Sequence, residues 1–266
     1  MSVWDTYLER GELRGRTKRE AALRRESSYL NRKVPDSLSY CEVSIYDEAH
    51  GYDLPSDEAN PELFTRKVAI INSDNLNEKY IYSLPGEDIE HGSLVHWMDN
   101  YWLVTERDAN TTVYTKAKII QCNHLLRWVT ANGQIHEQWC IIEDGTKYLT
   151  GEYEDRNFVT TRGDSRISMT IARNEYTKLF DRSYRFLIDD PESPLKLAYS
   201  LTKPLKLGWS FNGKGCYKFV LQEINSTSDD SQELGIADYY KYYPHEDSDV
   251  VGEDVAATPD GRKVWL

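Results

Sequence analysis

Between Gly92 and Cys122 the chain reads as a β-meander: short runs rich in β-branched and aromatic residues, broken by polar turns. The first two runs flank Asp99-Asn100, residue types that tolerate the positive φ of a two-residue hairpin loop. A second loop, Arg107 to Thr112, leads into a third run from Val113 to Gln121. The stretch reads as scaffold and holds no catalytic constellation. The same pattern continues on both sides. Leu38 to Ile45 alternates with period two, as a half-buried strand does. Phe64 to Ile71 and Lys79 to Ser83 read as strands, separated from the first by a polar loop, Asp47 to Pro61. Asn123 to Thr130 and Ile135 to Glu143 flank Ala131-Asn132-Gly133-Gln134, and the Asn-Gly pair there predicts a hairpin. Seven or eight closely spaced strands over residues 36–150 predict a small antiparallel barrel or sandwich.

Residues 151–225 read as a second β-unit, with strands at Arg166 to Ala172, Tyr184 to Ile188, Lys196 to Leu201 and Cys216 to Ile224. Pro204 cannot donate to a ladder and is expected at an edge or outside the sheet. Residues 1–35 form a basic N-terminal helix or arm. The helical reading runs from residue 3 to 31, is best over Arg16 to Leu30, has Ser2 or Asp5 as cap candidates and stops at Pro35. Its thin apolar stripe must pack on a neighbour or fray. Residues 226–266 are acidic and Tyr-rich, and are expected to be a disordered or partner-docked C-terminal arm. The fold class is therefore mainly β: an antiparallel barrel or sandwich core, a second β-unit, an N-terminal α-helix and an extended C-terminal arm.

Charge divides the chain. Nine Lys/Arg and three Glu between Arg10 and Lys33 give that segment +6, which against −12 overall leaves −18 on the remainder. Such asymmetry marks an arm that docks on something acidic, and an acidic body disfavours duplex nucleic acid over most of the surface. The helix has three readings: a solvated face, a dock for an acidic neighbouring subunit, or a contact to nucleic acid through interleaved Arg and Tyr. Candidate interface residues are Arg14, Arg16, Arg19, Arg24 and Arg25, with Tyr239, Tyr240 and Tyr242 in the C-terminal arm.

No residue pattern recommends an enzyme. The four cysteines, Cys41, Cys122, Cys140 and Cys216, lack paired spacing and read as reduced core thiols. The histidines show no metal-ligand spacing, so neither metal nor cofactor is expected. Acidic pairs at Asp47/Glu48, Glu87/Asp88 and Asp189/Asp190 fall in turns, where solvated acids belong. Gly213-Lys-Gly215 opens no helix and reads as a hairpin turn, not a phosphate cradle. Trp97, Trp102, Trp128 and Trp139 sit in strand patterns that core packing explains, which weighs against a carbohydrate-binding or hydrolytic module. With no apolar leader and no run long enough to span a bilayer, a soluble intracellular chain is expected.

The runs Gly92-Ser-Leu-Val-His-Trp, Tyr101-Trp-Leu-Val-Thr-Glu-Arg-Asp-Ala-Asn and Val113 to Trp128 resemble tailed-bacteriophage head–tail joining proteins, the head-completion or stopper components of the neck. Lys214 to Asn225, with Gly235-Ile-Ala-Asp-Tyr-Tyr240, is similar to the C-terminal part of larger phage structural proteins. The resemblance implies a ring-forming virion protein without catalysis. It would be assembled in the host cytoplasm between portal or adaptor and tail, around a channel that DNA crosses without sequence-specific contact. A tail-tube, tail-terminator or baseplate component is the related alternative. The added basic helix and second β-unit depart from stoppers that are the barrel alone.

Overall fold

A computed structural model describes residues 17–46, 65–108, 112–144, 166–190, 193–206 and 210–244. Helix α1, Lys18–Lys33, opens on a capping box: the Thr17 side chain accepts from the Glu20 amide, and the Glu20 carboxylate accepts from the Thr17 amide. It ends one residue before Val34, as Pro35 requires. Ser2 and Asp5 lie outside the described residues, so the observed cap is Thr17. No residue of α1 is buried.

Six strands then close a barrel: β1 (Tyr40–Tyr46), β2 (Thr65–Asn72), β3 (Glu78–Ser83), β4 (Leu94–Trp97), β5 (Asn100–Arg107) and β6 (Lys116–Gln121). Their order around the barrel is β1-β2-β3-β6-β5-β4, with β4 pairing back onto β1 so that no edge remains. Period-two alternation builds two cores from one set of strands. Val43, Ile45, Val68, Ile70, Ile81, Val95, Trp102, Val104 and Ile119 fill the barrel. Their outward neighbours Tyr46, Leu94 and Leu103 form a second cluster with Ile141, Ala172 and Cys216 of the next sheet. A one-residue slip of β5 would exchange these sets, so the register is held from both sides.

The second sheet has seven strands: β7 (His124–Val129), β8 (Ile135–Asp144), β9 (Arg166–Ala172), β10 (Arg185–Ile188), β11 (Leu197–Leu205), β12 (Ser210–Phe211) and β13 (Lys214–Ile224). They run in the order β10-β11-β13-β9-β8-β7, with β12 paired to β13. The β7–β8 hairpin, expected within the 36–150 barrel unit, joins this sheet instead: Cys140 pairs with Ile171 and Asp144 with Ile167. The change of sheet therefore falls between Gln121 and His124. Alternation along a strand reports which face is buried but not which neighbour it meets, and β7–β8 matches either partner. Pro204 behaves as proline chemistry dictates. β10 covers β11 only over Leu197 to Ser200, and Pro204 sits beyond, opposite Phe219, with a strand neighbour on one side only among the described residues.

The turns differ from expectation in an instructive way. The β4–β5 loop is Met98-Asp99, with φ of 49° and 58°, one residue earlier than the Asp99-Asn100 reading. Asn100 pairs with Trp97 and its side chain donates to the Met98 carbonyl at 2.7 Å. Of the two Asn-Gly pairs, Asn212-Gly213 forms the two-residue hairpin with both φ positive. Gly133 instead closes a three-residue loop: its amide donates to Thr130, and Thr130 donates to Gln134.

Residues 226–244 were expected in an extended arm; they fold onto the second sheet. Ile236 and Ala237 are buried, and Ala237 packs with Leu187 and Ala198. The anchor is Arg185 on β10, which pairs with Asp230 at 2.9 Å and with Asp238 at 2.7 Å. Arg127 on β7 donates to the Leu234 carbonyl, so the segment ties both outer strands of the sheet. Sequence hydrophobicity missed this because the segment is held mainly by charge-assisted hydrogen bonds, with little apolar area. The remainder of the expected arm, from residue 245, lies outside the described residues.

Candidate interaction surface

Among the described residues, histidines, cysteines and acids form no cluster of three or more that could hold a metal ion. His91 donates from Nε2 to the Thr105 carbonyl at 2.7 Å, at the bulge where β5 slips against β6, and burial lowers its pKa. His136 stacks on Tyr176 with ring centroids 3.8 Å apart. All four thiols are free. Burial pushes Cys41 up to about 11 and also raises Cys122, Cys140 and Cys216, which keeps them protonated at neutral pH. A thiol reagent at neutral pH should therefore leave Cys122, Cys140 and Cys216 unmodified in the folded chain and label all four cysteines after denaturation. Mass spectrometry of the labelled protein reads the difference, and rapid labelling of Cys216 in the folded state would contradict its burial.

Trp102 and Trp128 are buried, and Trp139 stacks on Tyr101 across the two sheets at 4.9 Å. These rings are packing elements, not exposed sugar platforms. Among the described residues, two surface clefts carry mixed charge. One, of about 260 Å³, is lined by Tyr80, Glu106, Arg107, Asp108, Lys116 and Lys118. The other, of about 170 Å³, lies where the barrel meets the second sheet, beside the Lys118–Glu78 and Lys218–Glu143 pairs. Both are smaller than the pockets that usually enclose a small ligand. Of Gly213-Lys-Gly215, Gly213 closes the β12–β13 turn while Lys214 and Gly215 begin β13, and the run opens no helix.

The interface candidates separate into two places. Arg19, Arg24 and Arg25 project from α1, exposed, while Arg14 and Arg16 lie outside the described residues. Tyr239, Tyr240 and Tyr242 form the short helix α2, Tyr239–Tyr242, on the folded-back segment. Tyr239 stacks on Tyr243 at 4.8 Å, and the Tyr240 amide donates to Asp229. Tyr242 remains 43% exposed. The basic residues and the tyrosines thus lie on separate elements, α1 and α2.

One surface was not anticipated. The start of β1, the β2–β3 turn, the β4–β5 turn and the end of β6 share one rim of the barrel. Hydrogen bonds trace it: Ile70 to Ser39, Lys79 to Asn72, Gln121 to Asn77 and Gln121 to Asn100. Leu38 stands fully exposed there, Leu76 is 88% exposed and Met98 74%. Asp36, Asp74 and Asp99 are exposed beside them. Three isolated leucine or methionine residues in turns give no periodic signal, so only barrel closure brings them together.

Residues 59–121 match the profile of the YomX N-terminal domain. The matched family is phage-associated. The match spans β2 to β6, five of the six barrel strands, and ends at the last residue of β6. No curated protein and no solved structure matches the chain significantly. No helix among the described residues is long and apolar enough to cross a membrane.

Proposed function

We propose that this chain is a structural virion protein of a tailed phage, a head–tail connector subunit that forms a ring between portal or adaptor and tail proteins. The observation that carries the reading is the phage-associated match lying on the closed barrel, the part of the chain that the meander resemblance also covers. The buried thiols and packed tryptophans support a scaffold role without a catalytic step. An acidic body suits a channel that DNA must traverse without adhering, since like charge keeps phosphates from binding. A tail-terminator or baseplate position would use the same barrel.

Mass spectrometry of purified virions should find the chain at several copies per particle, and electron cryomicroscopy should place it in the neck with an acidic lumen. Absence from virions would reject the reading, and a lumen lined by Lys and Arg would reject the proposed role of the acidic surface.

A further inference from the structure

Helix α1 has no fully buried residue, the barrel rim leaves Leu38, Leu76 and Met98 exposed, and the chemistries of the two are complementary. Over its sixteen residues α1 carries Lys18, Arg19, Arg24, Arg25, Arg32 and Lys33 against Glu20 and Glu26. Leu23 and Leu30 recur on one face, continued by the half-buried Val34, with Arg19 and Arg24 to either side. Leu23 and Leu30 are half-buried and no residue of the helix is fully buried, and isolated helices of such length are marginal in water. The rim presents the converse: Leu38, Leu76 and Met98 at three tips, each within two residues of Asp36, Asp74 or Asp99. One lysine, Lys79, sits among them and donates to Asn72.

Met98 adds an independent observation. It holds a φ of 49°, a region that Asn or Gly occupies at least cost and where a long side chain costs about 1 kcal/mol. A methionine kept 74% exposed in that conformation contributes nothing to the fold that Asn would not. Its adaptable thioether side chain is suited to contact with another surface.

The chain's own helix does not cover the rim. It leaves the barrel through a tight run in which Asp36 donates to Lys33, Ser37 to Val34 and Tyr40 to Ser37, and Leu38 within that run stays fully exposed. We propose that α1 of one copy docks on the barrel rim of a second copy. Leucines of the helix would meet Leu38, Leu76 and Met98, and its Arg and Lys would meet the three rim aspartates. Because the two surfaces differ, the contact is head-to-tail and repeats from copy to copy, the geometry that closes rings. The inference rests on reading the chain as an assembly subunit and names the surfaces through which copies join.

Sedimentation velocity on the full chain tests it, with two variants. One alters the helix, Leu23→Gln with Leu30→Gln. The other alters the rim, Leu38→Gln and Leu76→Gln with Met98→Asn. All five positions lie outside the core clusters, and circular dichroism confirms that each variant is folded. The wild-type chain should associate weakly with rising concentration at low salt and dissociate at high salt, since the charge pairs are exposed. Each variant alone should remain monomeric. Mixed in equal amounts, the two should form a dimer and stop there, because only one intact helix and one intact rim remain to pair. A wild-type chain that stays monomeric at high concentration and low salt overturns the proposal. So does either variant associating like the wild type, or a mixture that stays monomeric while the wild type assembles. Virion composition is a separate measurement, so a failed helix–rim contact leaves the connector reading standing, and the reverse also holds.

Discussion

Arg185→Ala should destabilise the folded chain by about 3–5 kcal/mol, the cost of removing one partner from a buried ion pair. The Arg185 side chain is 13% exposed and that of Asp230 is fully buried. Asp230 accepts from Arg185 through both oxygens, from the Asp238 amide at 2.9 Å and from the Thr227 amide at 2.7 Å. Without the guanidinium, a buried carboxylate keeps two amide donors and loses its counter-charge. Equilibrium urea denaturation measures the loss, and limited proteolysis should show new cleavage between Asn225 and Pro244 before the sheet itself unfolds. An unchanged midpoint would mean that the segment is held by Ile236 and Ala237 alone.

The same pair sets an acid dependence. Burial pushes the Asp230 pKa up, but the Asp238 and Thr227 amides and Arg185 outweigh it, leaving the folded value below the ordinary one. A group depressed on folding contributes stability that is complete above its unfolded pKa, about 4, and is lost as pH falls through the folded value. The wild-type chain should therefore lose stability below about pH 4. Arg185→Ala should lose less of it over that window, because part of the depression is already gone.

Gly92→Ala should cost roughly 3 kcal/mol or more, through two separate penalties. Gly92 holds a φ of 87°, where an L side chain is strained, and a Cβ there would lie 2.1 Å from the Gly215 carbonyl oxygen. The clash is with backbone of β13, so relief requires the barrel and the second sheet to part. Around this point the Gly92 amide donates to Val104, the Cys216 thiol donates to the Val104 carbonyl, and Lys214 pairs with Glu90. Gly86→Ala supplies the control. Gly86 has a similar φ of 93°, but a methyl group added there would meet nothing within 4 Å, so it should lose only the strain, about 1–2 kcal/mol. Thermal unfolding of the two variants separates strain from contact, and equal losses would show that the sheets do not meet closely at Gly92.

The strands were largely legible before the fold, for a local reason. Period-two alternation is a property of six or seven consecutive residues, and it located β1 to β11 and β13 to within a few residues. The Pro35 stop and the edge position of Pro204 follow from the proline ring alone. The turns were less legible. Asn132-Gly133 and Asn212-Gly213 are chemically alike, and the length of loop that the flanking strand register leaves open decides which forms the two-residue hairpin.

By itself the sequence determined an antiparallel β protein with a basic leading helix, because pleat, proline geometry and charge are written residue by residue. The tertiary structure alone decided that β1 to β6 close a barrel, that β7 and β8 serve the other sheet, and that residues 225–244 fold back on Arg185. It also decided that Leu38, Leu76 and Met98 share one rim. Each of these depends on pairing between residues tens of positions apart, where the energy lies in complementary surfaces and buried charge partners, and no local pattern encodes which surfaces will meet.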